Sequence, residues 1–340
     1  MLGGFLALVC AATFAFNNAS IRRGVLSGSV SQAMAITVPI GVPIFLVVAL
    51  VLGSLGMVTR FSSTSLLCLS LAGVMHFVWG RYCNYRATKA MGAILVAPVQ
   101  QASMILTLVL AIWILGETLT PLRLFGIVLV ILGPSISLPG AKEKSAKATD
   151  RTGRTVDGRA ATAPAMPPFK PRYLEGYAYA LLSSTGYGLS PILVRLGLEH
   201  SGIPASAAGG LVSYGAATAV FAVILLWPGQ WRHVRLVKPE AAKWFTVSGV
   251  FVCLSQMFRY MALAVAPVSV VTPIQRLSIL FRIYFARMLN PDHEVFGGKI
   301  LLGTIVSLLG TLALSVSTDT LLALVPLPEF IVTVARWQWP

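Results

Sequence analysis

Pro267-Val-Ser-Val-Val-Thr-Pro-Ile-Gln-Arg-Leu-Ser-Ile-Leu-Phe-Arg-Ile-Tyr-Phe-Ala-Arg-Met-Leu289 is an apolar stretch that keeps a polar centre. About 20 mostly apolar residues are enough for a helix to cross a bilayer. A guanidinium at mid-depth costs roughly 2.5–3.5 kcal/mol on insertion scales, so Arg276 is expected to face a protein interior or a wet cavity. Pro273 removes one amide donor and frees the carbonyl of Ser269, breaking the helix beside that charge. Broken helices are one way that membrane proteins build a polar site at the midplane.

The stretch has an echo in the first half of the chain. Pro98-Val99-Gln100-Gln101-Ala102-Ser103 lies against Pro273-Ile274-Gln275-Arg276-Leu277-Ser278, and Tyr85 and Ala87 fall on Tyr260 and Ala262. After a two-residue shift, Glu117, Gly126 and Gly133 fall on Glu294, Gly303 and Gly310; Thr13 and Arg23 match Thr185 and Arg195 less closely. Repetition on this scale marks a duplication. Working outward, ten apolar runs are read: 3–20, 34–56, 66–87, 91–115 and 119–138, then 174–196, 206–227, 243–264, 267–289 and 296–316. Each copy thus carries five helices. Five is odd, so the second copy enters the membrane from the opposite side, and the repeat is inverted.

The composition agrees with that reading. Hydrophobic residues make up 56% of the 340 and charged residues only 11%, against about 25% charged in a soluble domain. With a mean hydropathy of +0.80, an all-α polytopic membrane protein is expected. The net charge of +15 does not point to nucleic acid, because Lys and Arg gather in short connections, the pattern that sets membrane topology. Cys10, Cys68, Cys83 and Cys253 lie in or beside apolar runs without metal-site or disulfide spacing, and are read as buried apolar residues. The first apolar run lacks a basic leader and a small-residue cleavage site, so it is read as a retained helix.

Four regions follow: a first five-helix unit at 1–138, a linker at 139–172, a second unit at 173–318 and an apolar tail at 319–340. The linker is basic and rich in Ala, Pro, Gly and Thr, a composition that cannot support a core and reads as disordered. Arg22, Arg23, Lys89, the linker bases, Arg232, Arg235, Lys238, Arg287 and Lys299 fall in connections on one side, facing little beyond Arg60, Arg123 and Arg195. The positive-inside rule then puts the linker in the cytoplasm and both termini outside, in a multi-pass protein of the cell (inner) membrane. The tail is interrupted by Pro326 and Pro328 and ends in Trp337 and Trp339, which suits the interface.

Polar residues inside the runs are the candidates for binding. The third run holds His76, Trp79, Arg81, Asn84 and Tyr85; the eighth places Gln256, Arg259 and Tyr260 on one face. In the ninth, Gln275, Ser278 and Arg282 share a face and Arg276 points about a quarter-turn away. Gln100 and Gln101 occupy the matching depth in the fourth, Asn17 and Asn18 lie in the first, and Tyr187 and Ser190 in the sixth. Each has a structural alternative. A Gln, Asn or Ser in a membrane helix also serves as interhelical glue. Tyr85 and Tyr260 suit an interfacial belt, and Arg81 and Arg259 are near enough to a helix end to snorkel. His76 reads as a packed, hydrogen-bonded histidine.

Carboxylates are confined to the ends of runs: Glu117, Asp292 and Glu294 lie at connections and Glu175 at a helix start. The ionisable groups within the runs are arginines instead, which favours a partner carrying a carboxylate or phosphate. Paired carboxylates, a His/Cys metal cluster and GxSxG are all missing from the sequence, so neither an enzyme nor a cofactor is expected.

Gly116-Glu117-Thr118-Leu119, Leu124-Phe125-Gly126 and Ile131-Leu132-Gly133 resemble the EamA repeat of the drug/metabolite transporter superfamily. Glu294, Leu302-Gly303 and Leu309-Gly310 resemble it again in the second copy, with Tyr260 and Ala262 before Pro267 in pattern. The long linker, and Asn290-Pro291-Asp292-His293 where Gly usually precedes the Glu, depart from it. The resemblance implies ten helices in a basket, a cavity lined by helices one, three, four and their repeat mates, and alternating access. It implies a secondary transporter but not its substrate; with the arginines of the runs, a small polar, anionic or zwitterionic metabolite is expected. A flippase for a lipid-linked anionic headgroup, or a non-transporting scaffold or sensor built around the linker, is the alternative.

Overall fold

The computed structural model describes residues 2–115, 120–137, 170–198, 202–265, 271, 274–315, 329, 332 and 337. The expectations for Glu117, Pro267, Thr272 and Pro273, for most of the linker and for most of the tail lie outside the described residues. Within them the chain is all-helical. The first half runs through α1 (Leu2–Ser27), α2 (Val30–Thr37), α3 (Gly41–Val51), α4 (Ser63–Gly73), α5 (Arg81–Met91), α6 (Ala93–Gln100), α7 (Ala102–Leu115) and α8 (Pro121–Ser137). The second runs through α9 (Tyr173–Leu198), α10 (Gly202–Leu225), α11 (Gln230–Arg235), α12 (Pro239–Val265), α13 (Ser278–Leu289) and α14 (Gly298–Ser315).

Among the described residues, five segments are long and apolar enough to cross a membrane: Leu2–Ser27, Val30–Val51, Ser63–Met91, Gly202–Leu225 and Pro239–Val265. The distribution of side chains is that of a protein solvated by lipid. Val47, Val51, Leu67, Val223 and Leu226 are exposed, while Asn18, Arg22, Arg81, Arg259 and Arg282 are buried. A water-soluble fold shows the reverse.

The helices break where the sequence removes a donor. Pro39 sits between α2 and α3, and the amide of Gly41 bonds back to Val38 rather than to Thr37. The Thr37 carbonyl is then free for the Arg81 guanidinium, which donates to it at 2.6 Å and to the Tyr214 hydroxyl at 2.9 Å. Pro98 lies inside α6, and a turn at Gln101 separates α6 from α7. Between α4 and α5, residues Val74–Gly80 form a π-helical turn, a distortion found mostly at functional sites.

Packing joins the two halves reciprocally. α1 lies along α12, the α4–α5 helix lies along α9, and α8 lies along α14. Glycine permits the closest of these crossings. A Cβ on Gly310 would stand 2.7 Å from the Val130 nitrogen and 2.8 Å from the Gly126 carbonyl, and one on Gly133 would strike Ser307. Small residues let membrane helices approach backbone to backbone, where packing rather than solvent exclusion holds them. The duplicated glycines of the sequence are therefore the seam between α8 and α14.

Arg172 shows where the second half begins: its amide donates to the Ala90 carbonyl at the end of α5. Its guanidinium pairs with Glu175, which also accepts from Arg86 at 2.6 Å. This end of the bundle is the linker side.

Candidate functional site

A cavity of about 90 Å³ lies among α1, the π turn, α9, α12 and the residues leading into α13. Its walls include Cys10 and Phe14 from α1, His76 from the π turn, and Tyr187 and Pro191 from α9. Ser255, Gln256 and Arg259 come from α12, and Gln275, Arg276 and Ser278 from the ninth run. At roughly 30 Å³ per water in the liquid, the space holds on the order of three waters, or a group of carboxylate or phosphate size.

Two guanidinium groups enter this space under different conditions. Arg259 Nη1 donates to Gln256 Oε1 at 3.0 Å and stands 3.2 Å from His76 Nδ1, while its Nη2 donates to Ser190 Oγ at 3.3 Å. Arg276 Nη2 meets only the thioether of Met104, at 2.9 Å, and its buried Nε has no partner among the described residues. A thioether is a weak acceptor, so among the described residues most of the hydrogen-bonding capacity of Arg276 goes unmet. No Asp or Glu is among the wall residues.

His76 stands against Tyr187, with ring centroids 4.6 Å apart, and makes the Arg259 contact across the cavity wall. It is packed and hydrogen-bonded, as expected of a lone histidine. Cys10 Sγ lies 3.4 Å from Ser255 Oγ and receives a long bond from Gln275 Nε2 at 3.5 Å.

The remaining candidates sort by depth. Arg282, Gln100 and Asn84 are not in the wall but form a buried chain just beneath it. Arg282 Nη1 donates to Gln100 Oε1 at 3.0 Å, and Gln100 Nε2 donates to Asn84 Oδ1 at 2.8 Å. Asn17 accepts from Ser248 Oγ at 2.6 Å and fastens α1 to α12. Tyr260 donates to Ser213 Oγ at 3.1 Å, fastening α12 to α10. It and Tyr85 are almost fully buried, so neither belongs to an interfacial belt. Arg81 and Arg259 are buried as well and do not snorkel. Gln101 lies buried in the turn between α6 and α7.

Trp79 lies apart from the cavity. It is 44% exposed, and its indole N–H donates to the Leu182 carbonyl at 3.1 Å and to Thr185 Oγ1 at 3.0 Å on the outside of α9. The π turn explains this, since its extra residue rotates Trp79 off the face that carries His76.

One functional group escaped the sequence reading. Glu294, expected merely to sit at a connection, is buried and reaches into the other half. Its carboxylate accepts from the amides of Ala93 at 2.7 Å and Ile94 at 3.1 Å, capping the start of α6. Arg22 pairs with it at 3.7 Å and also donates to the carbonyls of Thr88, Lys89 and His293. Arg22 is therefore a helix residue tied into the core, not a base in a connection. In the connection itself, partial burial and the nearby Arg22 and Arg23 hold His293 below the usual histidine range. It stays neutral near neutral pH and leaves the Arg22–Glu294 pair undisturbed. Its duplicated position (with Glu117) was the only sequence signal for Glu294.

A search of curated proteins returns no match. A solved structure described only as "Crystal structure of protein" aligns over 95% of this chain and 96% of its own, at 17% identity and a TM-score of 0.50. At that identity it speaks for the fold alone. Residues 1–138 match the model of the EamA-like transporter family. Together with the apolar spans among the described residues, this match makes the chain a membrane protein whose first 138 residues are similar to the EamA-like transporter family.

Proposed function

We propose that the chain is a secondary transporter that moves a small anionic or zwitterionic metabolite by alternating access. Ten helices, as two inverted five-helix units, would carry it across the cell (inner) membrane. The observation behind this is Arg276, a guanidinium that enters a cavity and, among the described residues, meets no carboxylate there and only a thioether. Burying such a cation without an anion or full hydrogen bonding is costly, so a ligand carboxylate or phosphate is its natural complement. Arg259, held by Gln256 and Ser190, presents a second, pre-positioned donor set to the same ligand. The reciprocal packing of α1 on α12 and of α4–α5 on α9 supports two units that rock against each other. The basic linker belongs on the cytoplasmic side by charge.

The test starts from metabolite profiles of vesicles with and without the protein, which identify the transported anion. Arg276→Gln should then reach the membrane in normal amount and lose at least 90% of that uptake. Arg276→Lys keeps the charge but not the two-pronged geometry, and should retain only partial uptake. Wild-type uptake by a folded Arg276→Gln protein would overturn the reading.

A further inference from the structure

The cavity closes toward the linker side, and what closes it is thin. Phe14 and Tyr187 form the floor, meeting edge to face with ring centroids 6.4 Å apart. Directly behind them is Arg282, 3% exposed, with its guanidinium carbon 5.8 Å from the centre of the Phe14 ring. One aromatic layer therefore separates the cavity from another buried cation.

Arg282 is incompletely matched. Nη1 donates to Gln100 Oε1 at 3.0 Å and more weakly to the Ala93 carbonyl at 3.4 Å. Its buried Nε has no partner among the described residues. None of the ion pairs among those residues includes it. The amide it holds is anchored from the opposite end: Gln100 Nε2 donates to Asn84 Oδ1 at 2.8 Å and to Ser183 Oγ at 3.3 Å. Asn84 Nδ2 donates in turn to Asn18 Oδ1 at 3.2 Å. An incoming oxygen could replace Gln100 Oε1 on Arg282, the rigid amide swinging off Asn84 and Ser183 as it leaves while the Asn84–Asn18 bond stays in place. Arg276 and Arg282 are six positions apart, on either side of the turn at Leu277 that precedes α13.

We propose that Arg282 is a second anion subsite on the linker side of the Phe14–Tyr187 floor. In this state Gln100 fills it. When the floor parts, a carboxylate or phosphate oxygen of the ligand takes the place of Gln100 Oε1, so the anion passes from Arg259 and Arg276 to Arg282. The inference rests on reading the cavity as an anion route.

Charged thiol reagents test the two sites separately, whichever anion the protein carries. In full-length protein reconstituted in vesicles, Cys68, Cys83 and Cys253 are changed to Ala. Native Cys10 then reports on the cavity. Cys10→Ala combined with Ser183→Cys reports on the space behind the floor. Each is treated with sulfonatoethyl and with trimethylammonium-ethyl methanethiosulfonate, and rates are divided by those for free cysteine. At position 183 the sulfonate reagent should be favoured at least tenfold. That preference should fall to near unity in Arg282→Gln and persist in Arg282→Lys and Arg276→Gln. Failure of both reagents to reach position 183 would overturn the proposal, since Arg282 would then be part of a sealed core. So would a preference that Arg282→Gln leaves unchanged. A preference missing at Cys10 but present at position 183 would instead break the reading of the cavity.

Discussion

Arg22 and Arg276 are both arginines in apolar helical surroundings, and the fold treats them oppositely. Arg22 donates to three backbone carbonyls and pairs with Glu294. Arg276 has one thioether contact and a buried Nε without a partner among the described residues. Arg22 is fully buried and Arg276 only partly so, and depth of burial is therefore no mark of the working residue. What separates them is unmet hydrogen-bonding capacity, because a buried donor left unpaired costs roughly 1–3 kcal/mol and more when charged. The protein meets that cost at Arg22 with its own atoms. At Arg276 it leaves the capacity for something else.

This contrast can be pressed by asking what each residue is worth to stability, read from the unfolding of purified protein in rising SDS. Glu294→Gln should have the largest effect, about 3–5 kcal/mol, since it leaves Arg22 buried without its counter-charge. Gly133→Ala comes next, at about 2 kcal/mol, because the new methyl group meets Ser307 and forces the α8–α14 seam apart. Arg81→Lys should cost about 1 kcal/mol, as one ammonium cannot hold both the Thr37 carbonyl and the Tyr214 hydroxyl in the geometry of the fork. Arg276→Gln should show no loss, and a gain of up to about 1–3 kcal/mol, because it removes a charged donor set that the described residues leave unmatched, even though it removes uptake. A loss at Arg276 as large as that at Glu294 would erase the distinction between them.

The sequence carried the helices well, since periodic apolar runs and their glycines act locally. Gly126, Gly133, Gly303 and Gly310 were legible as a duplicated motif, and the seam they form needs little more than small side chains in register. Much of the cavity was legible too, because Gln275 and Arg276, like Gln256 and Arg259, are near neighbours in sequence and in space. Arg81 shows the limit. Its residue type and depth match those of Arg259, yet it is spent on the Thr37 carbonyl left free at the break between α2 and α3. Glu294 shows the same limit, for its partners Ala93 and Ile94 lie in the other half. Trp79 was misread for a different reason. A regular helix was assumed where the chain makes a π turn, and no residue type announces that change.

The meeting of Gly92 and Glu294 has a consequence for how this lineage can vary. Gly92 adopts φ +89°, and a Cβ there would collide with the carboxylate that caps α6. Every missense change reachable from a glycine codon by one nucleotide adds at least that carbon. The cap and the glycine can therefore drift only together, and by more than one mutational step. Selection should hold the pair fixed while the lipid-facing leucines and valines around it exchange freely.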